Sequence, residues 1–468
     1  MEKPHLPRTM VGLVGTSLAI VSAVVIVGMA VLGVLGYGGS PYAGILAYLV
    51  LPGLFVLGLL LIPLGNVLAR RRARLAAEHG DKVPLLPVLD LNDTVTRRRT
   101  VFFGVLTILN LLLLGFAGYQ GFHLMDSPAF CGSCHSVMDP EATAHSRSPH
   151  ARVACVECHI GSGASWFVKS KLSGLWQVVS VTFDLYQRPI PTPVAELRPA
   201  RGTCEECHWP SKFLGDTLRV RTSYAEDEKN SARQTVILLH VGGGQTTAGP
   251  RRGIHAHVAP GVEMRYLADP KREKISTVEA SFDGKKATFR TAASPAQPPP
   301  PEAWRLMDCI DCHNRASHRF RPAAAEVDQA ISSGRVDPSL PWVKREAMKA
   351  LRVEYPSHEA ARAGIEKHVL DFYRQLDPAA WPGREARAKG AAAALGDIYC
   401  WNVWPWMKIG WNTYAPLDGH ELAAGCFRCH DGEHRAEGGR EISQDCGLCH
   451  SLLAVEEENP KILTQLSP

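Results

Sequence analysis

Cys131-Gly-Ser-Cys134-His135, Cys155-Val-Glu-Cys158-His159 and Cys204-Glu-Glu-Cys207-His208 stand close together in the chain. Three more copies of the pattern follow at wider intervals: Cys309-Ile-Asp-Cys312-His313, Cys426-Phe-Arg-Cys429-His430 and Cys446-Gly-Leu-Cys449-His450. Of the 13 cysteines, only Cys400 lies outside the pattern. C-x-x-C-H is the attachment motif of c-type haem. Two thiols add across the porphyrin vinyl groups, and the adjacent histidine supplies the proximal ligand of the iron. Zinc ribbons also use C-x-x-C pairs, but they do not need a histidine directly after every second cysteine. Disulfides leave the histidines unexplained. Six covalently bound haems c are therefore expected, with His135, His159, His208, His313, His430 and His450 on the irons.

Working outward from the motifs, the N-terminal side is apolar. No charged residue occurs between Arg8 and Arg70. That length suits two membrane spans, about 11–36 and 44–64, with Gly36-Tyr37-Gly38-Gly39-Ser40-Pro41 as the turn between them. A third apolar run, 101–120, follows Arg97-Arg98-Arg99. The loop 65–100 holds Arg70, Arg71, Arg72, Arg74, Lys82 and that arginine triplet, so the positive-inside rule makes it cytoplasmic. Everything after the third span is then outside, where haem c is attached. The expected location is a bacterial cytoplasmic membrane, multi-pass, with the haem part in the periplasm. Net charge is +5, with no basic stripe interleaved with aromatics, so no nucleic-acid partner is expected.

The outer part divides by pattern. Residues 126–213 hold the first three motifs. Residues 214–304 read as a β-rich insertion, with strands at 217–223, 234–241, 264–267, 275–282 and 286–291. Asp283-Gly284 is its hairpin turn, and a proline-rich linker closes it. The fourth motif lies in 305–320. Residues 321–400 read as helical at 323–332, 342–353 and 358–375. The last two motifs occupy 401–468. The predicted fold class is a multihaem cytochrome c: three N-terminal transmembrane helices, then a mostly α and irregular haem-packed periplasmic part with a β-rich insertion.

From the third span to His318 the chain resembles the NapC/NirT family of membrane-anchored quinol-oxidising cytochromes. The residues that carry the resemblance are the span running into Phe130 and the first motif, then Met138, His150, Cys155 to Ile160 and Lys169-Ser-Lys171-Leu172. It closes on Cys309 to His318. The resemblance implies that menaquinol is oxidised near haem one and that electrons leave for a periplasmic cytochrome or reductase. It makes His318 the distal ligand of haem three and His150 that of haem four. Met138 stands three residues after His135, where family members often have methionine two residues after, so Met ligation of haem one is not carried over. Where the family often has an acid, this chain has Gln177. The family lacks the first two spans, the β-rich insertion and the last two motifs.

His420 and His434 flank the fifth motif and are the candidate ligands for haems five and six. His145, His240, His255, His257, His358 and His368 are surplus imidazoles, more often polar surface than ligands. Lys171, His123 and Gln177 are the candidate quinol site; the bland alternatives are a snorkelling lysine and an interfacial anchor. Trp401, Trp404 and Trp406 are expected to pack on haem faces, and Cys400 to be a buried free thiol. The implied activity is quinol dehydrogenation with electron transfer to a cytochrome. The rivals are a terminal reductase of a small oxyanion at an open haem, with Arg251-Arg252 beside it, and a haem subunit of a larger respiratory complex.

Overall fold

The computed structural model describes residues 10–34, 51–77, 91–133, 135–160, 164–194, 199–243, 253–282, 284–297 and 299–466. It divides into two compact units, 1–134 and 135–468.

The first unit contains α1 (Met10–Val34), α2 (Leu51–Ala77) and α3 (Thr94–Met125). All three are long and apolar enough to cross a membrane, and a helix satisfies its own backbone there. The expected second span begins in residues outside the described set, and α2 runs past Leu64 through the arginines to Ala77. Likewise α3 starts before the arginine triplet, where the Asp93 carboxylate accepts from Thr96 N (3.0 Å). The helices exceed the apolar runs because arginine and threonine continue a helix into the headgroup zone at little cost. Helices α1 and α2 meet through small residues. A Cβ on Gly58 would lie 2.7 Å from Ala19 N, and one on Gly15 2.8 Å from Leu61 Cβ. Gly15, Ala19 and Ser22 share one face of α1, and Ala19 and Ser22 are buried there. Close backbone approach through small residues is how helices associate in lipid, where no hydrophobic force drives them together. The unit ends in α4 (Pro128–Gly132), whose first turn is capped by Ser127.

The second unit opens with α5 (His135–Ser146), α6 (Cys155–His159), α7 (Ala164–Thr182) and α8 (Arg201–Cys204). Its strands are β1 (Thr217–Tyr224), β2 (Ala232–Leu239), β3 (Val262–Ala268), β4 (Ile275–Phe282), β5 (Lys285–Arg290), β6 (Arg305–Leu306) and β7 (His450–Glu457). They form two antiparallel sheets, β1-β2-β7 and β5-β4-β3-β6. Phe282 pairs with Lys285, so the chain turns over two residues, as expected; Asp283 itself lies outside the described residues. The β-rich region thus does not close on itself. An unpaired β2 edge would expose its backbone donors and acceptors, and β7, which starts at the histidine of the sixth motif, pairs with it. The second sheet is completed by β6, directly before the fourth motif.

A helical bundle follows: α9 (Ala323–Ser332), α10 (Val343–Leu351), α11 (His358–Leu376) and α12 (Trp381–Asn402). Val327, Leu340, Leu351, Ile365, Tyr373, Leu395 and Ile398 fill its core. The chain ends in α13 (Lys461–Leu466).

Candidate haem sites

The strands deliver the motifs. β6 ends three residues before Cys309, and β7 begins at His450. His240, just past β2, donates its backbone N–H to Cys449 O (2.8 Å). Asp308 and Asp311 cap the short turn of the fourth motif reciprocally, Asp311 being fully buried.

A metal–imidazole bond of about 2 Å on each side puts two rings that ligate one iron with centres roughly 6 Å apart. Five of the six motif histidines face a second imidazole at that spacing. The ring pairs are His150–His208 (6.1 Å), His159–His318 (6.1 Å), His255–His313 (6.3 Å), His257–His430 (5.9 Å) and His420–His450 (6.1 Å). The side chain of the sixth, His135, lies outside the described set.

Four of the imidazoles are also oriented as ligands are. In His255, His257, His318 and His430, Nδ1 meets the backbone carbonyls of Val241, Ile254, Glu141 and Ser443 at 2.6–3.1 Å. Such contacts fix the tautomer and free Nε2 for a metal. Burial lowers the pKa of His159, His257, His313 and His318, which keeps them in the neutral form a metal requires. The donor set therefore fits covalent haem with paired imidazole ligation.

The placement departs from the sequence reading in detail. His318 stands opposite His159 of the second motif rather than the third. His150 stands opposite His208 of the third rather than the fourth. His420 faces the sixth motif. His434 is fully buried, with Nδ1 on Asp431 (2.9 Å), but it is His257 that faces His430. His255 and His257, counted among the surplus imidazoles, are the partners; their signal is an H-x-H pair, two imidazoles within one turn.

The other histidines are engaged elsewhere. His240 meets Asp216 and Ser451, and His368 meets Glu346. His145 meets Val153 O through Nε2, and its ring also lies 6.1 Å from that of His318, so it is the hydrogen bond that sets it apart from His159. His358 Nε2 contacts Val403 O (2.7 Å), and its ring sits against Trp404 and Trp406. Trp401 carries the guanidinium of Arg147, 3.9 Å from its ring centre. Cys400 is buried, and burial raises its pKa.

Of the candidate quinol residues, His123 is exposed at the end of α3, with its ring 4.5 Å from Tyr119. Gln177 lies on the exposed surface of α7, its amide donating to Ser173 Oγ (3.4 Å). The Lys171 side chain lies outside the described set, as do Arg251 and Arg252. Helix α7 exposes Leu172, Leu175 and Trp176 at i, i+3 and i+4.

Three apolar N-terminal helices followed by haem-attachment motifs with paired imidazoles define a membrane-anchored multihaem c-type cytochrome. The NapC/NirT cytochrome c family, N-terminal region, matches residues 95–189. The chain is 40% identical over 461 residues to the cytochrome c-type protein ImcH of Geobacter sulfurreducens, covering 96% of this chain and 89% of that one. The chain belongs to the NapC/NirT family of c-type cytochromes, electron-transfer proteins of membranes with covalently bound haem c. No solved structure matches it.

Proposed function

We propose that this protein oxidises a membrane quinol, menaquinol, and passes the electrons to a periplasmic cytochrome or reductase in anaerobic respiration. It does so with six haems c, residues 126–468 lying on the periplasmic side. The observation that carries the reading is the pairing of five motif histidines with second imidazoles. A terminal reductase needs an open iron position, whereas paired ligation suits electron transfer. Haem c supplies one-electron chemistry when bound.

The chain's own residues supply the membrane side. Leu172, Leu175 and Trp176 give α7 an exposed apolar face, which suits a helix lying in the membrane interface. Lys171 and Gln177 are on the same helix. Oxidation of one quinol releases two electrons and two protons; Lys171 hydrogen-bonds the quinol oxygen, His123 accepts one proton and interfacial water the other, and the electrons leave through the haems. Cys131 follows α3 by six residues and keeps the first motif near the interface.

Anaerobic titration with a reduced menaquinone analogue, followed by haem spectra, tests this. Reduction is expected, slowed in Lys171→Ala with haem content unchanged. Fully loaded protein that stays oxidised would overturn the quinol reading. Haem quantification near four per chain would sink the reading of the last two motifs.

A further inference from the structure

The 3-10 turn Ile254–Val258 carries His255 and His257, and each faces a different motif. Successive residues of a 3-10 helix are about 120° apart, so residues i and i+2 leave on different faces. The rings accordingly reach two separate partners, His313 at 6.3 Å and His257's partner His430 at 5.9 Å.

The turn is held firmly. Ile254 N donates to His240 O (2.8 Å) and His255 N to Gly242 O (3.0 Å). Gly253 has φ +95°, and a Cβ there would lie 2.5 Å from His240 O. The chain thus folds back against the exit of β2. Val241 O and Ile254 O then take Nδ1 of the two imidazoles. His240 differs, with both ring nitrogens engaged, by Asp216 and Ser451.

A second observation joins the same two motifs. Arg428, inside the fifth motif, is 8% exposed. It donates to the carbonyls of Gly425 (2.8 Å), Arg272 (2.9 Å) and Asp311, the last inside the fourth motif. A buried guanidinium needs such acceptors, so the contact between motifs four and five is built in.

We propose that His255 and His257 are the distal ligands of the haems bound at Cys309/Cys312 and Cys426/Cys429. One turn of chain then splices the C-terminal pair of motifs onto the NapC/NirT-like set. This rests on the haem-binding reading above.

The test is near-infrared magnetic circular dichroism of the full-length, haem-loaded protein and its His255→Met, His257→Met, His434→Met and His240→Met variants. His255→Met should convert one haem from paired-imidazole to His/Met character and raise its potential. His257→Met should convert a different one, and the double variant two. His240→Met should convert none, and His434→Met should leave the haem held at Cys426 and Cys429 unchanged. The assignment is overturned by unchanged spectra in both first variants at full haem content. It is equally overturned by conversion of the same haem in both, or by conversion in His434→Met instead of His257→Met. A measurement on the unmodified protein holds even where variants fail to accumulate. There, at least two haems should carry paired imidazoles, and fewer than two would overturn the assignment. Haem missing from the fourth or fifth motif of the unmodified protein would instead mark failure of the haem-binding reading itself.

Discussion

The bundle α9–α12 and the motif-bearing segments belong to one chain but close their interiors in different ways. In the bundle Val327, Leu340, Leu351, Ile365, Leu395 and Ile398 are fully buried against one another. By contrast α4, α6, α8 and the turn Cys446–Leu448, which carry motif residues, bury none of their side chains. Phe427 and Leu448, inside motifs, are nearly half exposed to anything outside the chain. Ordinary side chains make the first core. The second is a scaffold of short helices, turns and strand ends whose apolar surface is directed at its covalent cofactors. A bundle core tolerates substitutions that keep volume and pattern, whereas the scaffold depends on where each imidazole and thiol is placed.

The sharpest break between the two comes from blocking haem attachment. Substituting both cysteines of all six motifs by alanine should leave 323–402 helical and protected from protease while the motif segments are digested. Circular dichroism and mapping of the resistant fragment measure this. Equal digestion of both regions would show that the bundle, too, needs haem.

A smaller effect is expected where the bundle meets the first sheet. Lys344 Nζ donates to Asp328 Oδ1 (2.6 Å) and Ala324 O (2.8 Å), and the same carboxylate oxygen accepts from Tyr224 N at the end of β1. Both charges are buried. Asp328→Ala should cost about 3–5 kcal/mol, because it strands a buried ammonium. The pH dependence follows. Burial already lowers the Lys344 pKa from its ordinary 10.5, and loss of the carboxylate lowers it further. The unfolded chain then binds the proton more tightly, so the variant gains stability as pH rises toward the unfolded value. Denaturant midpoints measured across that window check it, and a deficit independent of pH would place the damage in the Tyr224 contact instead.

How much of this was legible beforehand depended on whether the information was local. The motifs are local, and so is the strand-like composition of β4, read at 275–282 and found at Ile275–Phe282. Helix α12 was missed because Ala388, Ala391, Ala392 and Ala394 are buried on more than one side, which erases a single apolar stripe. The tail strand β7 joins a sheet more than two hundred residues earlier in the chain, and no local pattern encodes that pairing. Ligand partners are the same kind of problem. The resemblance placed His318 on the third haem, whereas its ring lies beside that of His159 in the second motif. Which motif receives a distal imidazole is set by how the chain returns, not by the residues around it.

The smallest expected effect tests a third regime, the second sheet, which has a small core of its own beside a motif. Tyr266 is 1% exposed and packs with Ile275 and Val278, while its hydroxyl donates to Asp311 Oδ1 (2.7 Å). Asp311 also accepts from Arg305 Nε (2.7 Å) and from Asp308 N (2.8 Å). Tyr266→Phe keeps the ring and its packing and removes one of several donors to a carboxylate. A hydrogen bond to a charged group contributes about 1.5–3 kcal/mol when its loss strands the partner. With Arg305 and the backbone amide still in place, the cost should fall to about 1 kcal/mol. Haem content should stay unchanged, because the capping of the fourth motif by Asp311 survives. If Tyr266→Phe instead lost the haem at Cys309 and Cys312, the sheet would be part of the haem scaffold rather than a small independent core. The division between side-chain-closed and cofactor-closed regions would then have to be drawn on the far side of β3.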